Sequence, residues 1–116
     1  MSFIKCFSIA EEIINEATER FGSSFKVNNE KLSIFKEYCE AIDLIAEEFD
    51  GTSIEVEVDE ITSEISITLE SEEIIIESES HILCELLKRT VRYGFSASED
   101  GNLLTKLVFP TLWVKA

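Results

Sequence analysis

Residues 52–77, TSIEVEVDEITSEISITLESEEIIIE, carry the pattern from which the fold can be predicted. In two successive segments, apolar side chains alternate with acidic or hydroxyl side chains. Such alternation is typical of antiparallel strands that bury one face of a sheet and expose the other. The sequence therefore predicts a meander, with polar turns at 59–63 and 70–72 and a short third strand at Ile74 and Ile76.

An amphipathic helix is expected before this stretch, at residues 9–21, where apolar positions recur every three or four residues. Ser8 and Glu11 have the spacing of a capping box, in which each side chain satisfies a free amide of the first turn. Gly22 is placed to end the helix in a left-handed conformation. The same pattern predicts that the helix buries one side only.

Two further helices are expected along the chain. One begins at a cap formed by Asn28 or Asn29 and ends at Gly51. The other runs from about Ser80 to Gly94, with basic side chains near its end that complement the negative end of a helix dipole.

A hairpin is expected near the carboxyl end, with strands at 95–98 and 103–109 around the turn dipeptide Asp100-Gly101. Pro110 is expected to end the last strand because it has no amide to donate. The element order is then α-α-β-β-β-α-β-β. It predicts a single compact α+β domain over residues 1–116, in which helices cover one face of a two-layer fold with an antiparallel sheet of about five strands.

The chain is strongly acidic, with 24 Asp and Glu against 10 Lys and Arg and a formal net charge of −14. The excess lies in the middle: residues 37–87 contain 17 acidic residues and no Lys or Arg, whereas residues 88–116 contain 5 basic and 2 acidic residues. Nucleic-acid phosphates and anionic lipids repel such a protein. No direct binding of nucleic acid or membranes is therefore expected.

Three cysteines, Cys6, Cys39 and Cys84, stand far apart and form no C-x-x-C pair. Free thiols on apolar helix faces are typical of a reducing compartment. The first residues lack the pattern of a signal peptide, and no apolar run approaches the roughly 20 residues of a spanning helix. A cytoplasmic location is expected.

The alternation also predicts where the carboxylates lie. If the apolar positions of residues 54–76 face the helices, the acidic side chains share the opposite face. This predicted acidic face consists of Glu55, Glu57, Asp59, Glu64, Glu70, Glu73 and Glu77. It is either a solvated face that keeps the protein soluble or a docking surface for a basic partner.

The stretch after Phe109, PTLWV, is unusually apolar for a terminus. It either folds back onto the core or leaves Leu112 and Trp113 as an exposed patch of the kind that binds partners. In the second case these two side chains would supply apolar contacts beside the acidic face.

No catalytic, metal or cofactor signature is found. His81 is the only histidine, no Gly-rich phosphate loop is present, and Cys39 and Cys84 lack a neighbouring cation that would stabilise a thiolate. We therefore expect a protein that is not an enzyme and needs no cofactor. A small-ligand pocket between helices and sheet, with Tyr38, Tyr93 and His81, is a further hypothesis.

The leading interpretation is a small acidic cytoplasmic binding protein, an adaptor, inhibitor or immunity-type module that docks a basic protein partner. The alternative is a homodimeric structural or secretion-chaperone-like protein. The element order of residues 52–109 loosely resembles that of type III secretion chaperones, although the extra N-terminal helix departs from it. Because those chaperones are dimeric, the resemblance implies a homodimer; a strict dimer with the C-terminal tail in the interface would favour this alternative.

Overall fold

A computed structural model describes residues 6–48, 52–72 and 81–116, with His81 described by its backbone only. In chain order the elements are α1 (Cys6–Phe21), β1 (Phe25–Val27), α2 (Asn29–Glu48), β2 (Ser53–Val58), β3 (Ile65–Ser71), α3 (His81–Arg89), β4 (Arg92–Ala97), β5 (Leu103–Phe109) and β6 (Trp113–Lys115). The strand expected at Ile74 and Ile76 and the helix end expected at Gly51 lie outside the described residues.

Four strands form an antiparallel sheet in the order β2-β3-β5-β4. The register places Val56, Ile67 and Leu107 in one row across three strands, and Tyr93 of β4 extends that row. Helix α1 packs against β2 and α2, and α2 packs against α3. The expected α+β fold, with helices packed on an antiparallel sheet, is confirmed.

The core lies between the helices and the inner face of this sheet. Fully buried side chains come from α1, α2, β3, β5 and α3, and the rings of Phe35 and Phe109 meet edge to face at 5.8 Å. The ring of Tyr38 also stacks on that of Phe109, with ring centroids 5.1 Å apart. The largest fully buried side chains are Phe35, Phe109, Ile42, Ile45, Ile65, Ile67, Leu69, Leu83 and Leu107.

Helix α1 begins earlier than the sequence suggested. The Cys6 amide donates a 2.7 Å hydrogen bond to Oδ1 of Asp43 on α2, so a carboxylate from another helix satisfies the first turn. Ser8 lies inside α1, and the expected capping box with Glu11 is therefore wrong. The expected stop is confirmed, because Gly22 follows the helix with a φ of 77°.

The start of α2 matches the prediction. Oδ1 of Asn28 accepts a hydrogen bond of 3.0 Å from the Lys31 amide, which is the geometry of an N-cap. The hairpin turn is also confirmed, since Gly101 has a φ of 84° and donates to the Ser98 carbonyl at 3.0 Å. Strand β3 continues through Glu70 and Ser71, two residues that the sequence assigned to a turn.

The end of α3 departs from the prediction. The helix ends at Arg89, where the Thr90 hydroxyl donates to the Leu87 carbonyl at 2.7 Å, and the Val91 amide then donates to Val108 of β5 at 2.8 Å. The backbone thus joins the sheet at Val91, directly before β4, and Gly94 lies within β4 instead of ending the helix. A glycine with an ordinary negative φ gives no reason for a helix to stop there.

A second, two-stranded sheet joins β1 to β6. Both strands have three residues, too short to show a period of two, and neither was predicted. Backbone hydrogen bonds extend the pairing on both sides, from Asn28 to the Leu112 carbonyl at 2.8 Å and from Ala116 to the Ser24 carbonyl at 3.0 Å. The C-terminal segment is thereby fixed against the end of α1 and the start of α2. No helix in the described part of the chain is long and apolar enough to cross a membrane.

Candidate functional site

The acidic residues of β2 and its following turn lie on the outer face of the sheet, away from the helices. Glu55, Glu57 and Asp59 are all exposed and follow one another at alternate positions along this edge strand, a spacing of roughly 7 Å. We call these three residues the acidic strip. Opposite them on β3 stand Thr68 beside Glu55 and Ser66 beside Glu57, so no carboxylate faces another directly across that pair.

The remaining acidic residues of the predicted face have other neighbours. Glu64 receives a 2.8 Å ion pair from Arg92 of β4 and is largely covered. Glu70, at the other end of β3, accepts a 3.2 Å hydrogen bond from the Asn102 side-chain amide. Glu73 and Glu77 lie outside the described residues. Among the described residues, Glu55 and Glu57 form no ion pair, so their charges remain directed to solvent.

The outer face of the sheet is graded in charge. Along one row of the register, Glu55 of β2 is followed by Thr68, Lys106 and Gly94; along the next row, Glu57 is followed by Ser66, Val108 and Arg92. Negative charge therefore lies along the β2 edge, whereas positive charge lies on β5 and β4. The sequence pattern predicted the carboxylates but not the cations, which reach this face only through the pairing of distant strands.

The turn between β2 and β3 is firmly held. Oδ1 of Asp59 accepts hydrogen bonds from the amides of Ile61 at 2.7 Å and Thr62 at 2.8 Å, and the Asp59 carbonyl accepts the Ser63 amide at 2.8 Å. The two hydroxyls of Ser63 and Thr111 lie 2.6 Å apart. An Asx turn of this kind fixes the backbone at the tip.

Ile61 stands at the tip of this turn with 95% of its surface exposed, more than any other large apolar side chain among the described residues. Beside it, Glu60 pairs with Arg20 of α1 at 2.6 Å, which ties the turn to the helix layer. The sequence did not single out Ile61. The available signal was one large apolar residue inside a turn otherwise made of acidic and hydroxyl side chains.

The turn also changes the chemistry of Asp59. The backbone amides of Thr62 and Ile61 donate to its carboxylate and lower the pKa of Asp59 below its ordinary value of 3.8. The group is fully exposed and stays charged at neutral pH. Asp59 thus serves both as part of the acidic strip and as the side chain that orders the turn.

Leu112 and Trp113 occupy a different place from the one expected of a docking patch. They are 3% and 5% exposed. The Trp113 ring meets Phe21 edge to face at 5.0 Å, and its Nε1 donates to the Thr18 hydroxyl at 3.0 Å. Of the two alternatives for this stretch, the fold-back onto the core is correct, and the exposed patch at Leu112 and Trp113 is wrong.

The nucleophile candidates are placed as core or surface groups. Cys6 and Cys39 are fully buried and Cys84 is exposed. Two effects raise the pKa of Cys39 well above its ordinary value: the larger is a hydrogen bond with the Cys6 thiol, and the next is burial of the group. Such a thiol remains protonated at neutral pH and is a poor nucleophile.

The described cavities do not unite the groups proposed for a ligand pocket. An open groove of about 350 Å³ between α2 and α3 is lined by Tyr38, Ile82 and Leu86, among others. Tyr93 lies apart on β4 with 52% of its surface exposed, and the side chain of His81 is outside the described set. Within the described ranges, no three His, Cys, Asp or Glu side chains are grouped so that they could hold a metal ion.

No protein-family model, no curated protein and no solved structure matches this chain. A functional proposal therefore depends on the surface itself.

Proposed function

We propose that this protein is a small, non-enzymatic, cytoplasmic binding protein that docks a basic partner protein through the acidic strip and Ile61. The observation that supports the proposal most strongly is that two features occur together at the β2 edge of the sheet. Unpaired carboxylates lie beside a rigid turn that holds one large apolar side chain in solvent. Acting as an adaptor, inhibitor or immunity-type module, the protein would work by covering its partner's surface.

The carboxylates would act on the approach of the partner. Charges of one sign along an edge attract a surface of opposite sign and raise the association rate, and they exclude partners of the same sign. Glu55 and Glu57 suit this role because, among the described residues, neither forms an ion pair that would have to be broken first. Dissolved salt screens such attraction over a length of about 8 Å at physiological ionic strength.

Ile61 would act on the lifetime of the complex. An apolar side chain that enters a partner pocket adds binding energy by leaving water, and the surrounding polar rim keeps water out. The turn is already ordered by Asp59, so little conformational freedom is lost on binding. Ile61 would thus supply the apolar contact with the partner that the sequence analysis assigned to Leu112 and Trp113.

The free thiols support the choice of compartment. Cys6 and Cys39 lie side by side in the core as thiols, and Cys84 is an exposed thiol. An exposed free cysteine is compatible with a reducing cytoplasm and unfavourable in an oxidising compartment.

The test compares capture by the immobilised protein at low and at high salt, from an extract of its own source cells, followed by kinetics with the purified captured protein. We expect a basic protein that is retained at low salt and released at high salt. The double variant Glu55→Gln/Glu57→Gln should slow its association, whereas Ile61→Ala should mainly speed its dissociation.

The matched control is Glu11→Gln/Glu12→Gln, which removes the same charge from exposed positions of α1. If both double variants slow association equally, net charge alone attracts the partner and the acidic strip is not a docking site. If no basic protein is retained at low salt, the proposed function is wrong.

A further inference from the structure

Strand β4 is an edge of the four-stranded sheet and pairs, among the described strands, with β5 alone. All six of its residues, Arg92–Ala97, are exposed. An edge strand presents a row of N–H and C=O groups to which another strand can pair. The free side of β4 is therefore a ready template for strand addition.

The inner side of β4 is apolar and uncovered. Tyr93 and Phe95 point to the same side as the core residues of β5, yet 52% and 43% of their surfaces are exposed. Their rings meet at 5.8 Å, and Val91, just before the strand, is 50% exposed. The apolar face that the helices cover at β2, β3 and β5 thus continues onto β4 in contact with solvent.

The two edge strands of the sheet, β2 and β4, differ in how well they are protected against pairing with another strand. At β2, helix α1 packs against the strand, and Glu55 and Glu57 project from its outer face. Charged side chains and covering elements are the devices that prevent one sheet from pairing with another. Strand β4 has one charged residue, Arg92, and no proline. The edge at β2 is protected, and the edge at β4 is not.

We propose that β4 is a self-pairing edge: two copies of this chain join β4 to β4 in antiparallel fashion, with the two-fold axis at Gly94, to form a continuous eight-stranded sheet. In this register Tyr93 of each copy lies across from Phe95 of the other, and Arg92 lies across from Ser96. The four aromatic rings meet on the inner face, where cross-strand aromatic pairs stabilise a sheet. The two arginines are kept apart.

Charge favours a second copy at this edge over the other edge. Residues 88–116 carry 5 basic and 2 acidic residues, so β4 lies in a part of the chain with a basic excess. The backbone of β2, which carries the acidic strip, lies three strand spacings from β4, about 14 Å, so pairing through β4 keeps the acidic strips of the two copies apart. Pairing through β2 would instead bring two acidic strips together.

The surroundings of Gly94, at the proposed two-fold axis, also allow two copies to pair. A Cβ added at Gly94 would meet no atom of its own chain within 4 Å, so the space around this residue is open and leaves room for a second copy. A two-fold contact uses the same surface on both copies and closes after two, which limits assembly to a dimer. The acidic strips remain free on the two outer edges, so this inference does not depend on the proposed function.

The first experiment measures the mass of the native protein in solution by sedimentation equilibrium over a wide concentration range. We expect twice the mass of one chain for the wild type and the mass of one chain for Phe95→Lys, which places a charge across from Tyr93. The matched control is Ile61→Lys, a substitution by the same residue at an exposed position on the turn between β2 and β3, and it should remain a dimer. Circular dichroism confirms that both variants fold.

The second experiment tests the register. In a Cys84→Ser background, which removes the exposed thiol, Gly94→Cys should form a covalent dimer when oxidised glutathione accepts the two electrons and two protons of disulfide formation. Ser53→Cys on β2, exposed on the other edge, should stay unlinked.

A monomeric wild type, a dimeric Phe95→Lys variant or a Gly94→Cys variant that does not cross-link would each overturn the proposal. An acidic peptide that binds β4 of a monomeric wild type would show that the edge takes another occupant. Capture of a basic partner through the acidic strip should be the same for wild type and Phe95→Lys. A failure of self-pairing is therefore distinct from a failure of the proposed function.

Discussion

At the scale of single residues, Asp59 determines how the turn responds to acid. Its pKa is lowered by amide hydrogen bonds that exist only in the folded protein, so its contribution to stability is fully present above its ordinary value of 3.8 and is lost as the pH falls through the lowered value. We predict that Asp59→Asn, which keeps an oxygen acceptor, loses this pH-dependent part. Urea unfolding of both proteins at neutral pH and near pH 3 measures it.

The expected result is that the wild type is the more stable protein at neutral pH and that the difference narrows in acid. Glu60→Gln is the control, since Glu60 neighbours Asp59 in the same turn but accepts no amide of that turn in the described structure. A difference that is constant with pH would contradict the role given to the Asp59 charge.

At the scale of elements, the pair β1–β6 closes one end of the fold through Trp113. Replacing this buried ring by Ala removes its contact with Phe21 and its hydrogen bond to Thr18. We predict a loss of about 3–5 kcal/mol in the free energy of unfolding. Phe25→Ala is the control: it also removes an aromatic ring from this strand pair, but that ring is 43% exposed. Equal losses in the two variants would mean that Trp113 does not hold the core.

The elements also show how far a single sequence leads. The alternation of β2 and β3 and the apolar period of α2 are long enough to predict both element type and buried face. Strands β1 and β6 have three residues each and depend on partners more than eighty positions apart, so no local pattern indicates them. The end of α3 before Thr90 was missed because a glycine often follows the last residue of a helix. Gly94 instead lies within strand β4.

The candidate site, like the fold, could be predicted from the sequence only in part. The side on which Glu55 and Glu57 project follows from alternation alone. The pairing of Glu64 with Arg92 joins residues 28 positions apart across β3, β5 and β4, and it requires the register of three strands. The exposure of Ile61 depends on the hydrogen bonds of its turn, which a hydropathy pattern does not contain.

At the scale of the whole molecule, a formal net charge of −14 opposes the compact state by self-repulsion. Raising NaCl from about 0.01 M to 0.15 M shortens the screening length from roughly 30 Å to 8 Å. We predict that the urea midpoint rises with this change at a fixed protein concentration. It should rise less for Glu55→Gln/Glu57→Gln, which carries less repulsion at the outset. A midpoint that falls would mean that exposed ion pairs such as Arg20–Glu60 outweigh the repulsion.

The charge gradient of the sheet, negative along β2 and positive on β5 and β4, gives this layer an electric dipole that runs across its strands. A molecule with such a dipole turns its oppositely charged side toward a charged surface before the two make contact. On an amine-coated bead or sensor chip, the monomeric Phe95→Lys variant should therefore land with β2 against the coating and β4 toward the liquid. The choice of immobilisation chemistry thus decides which edge is left open to a visiting molecule.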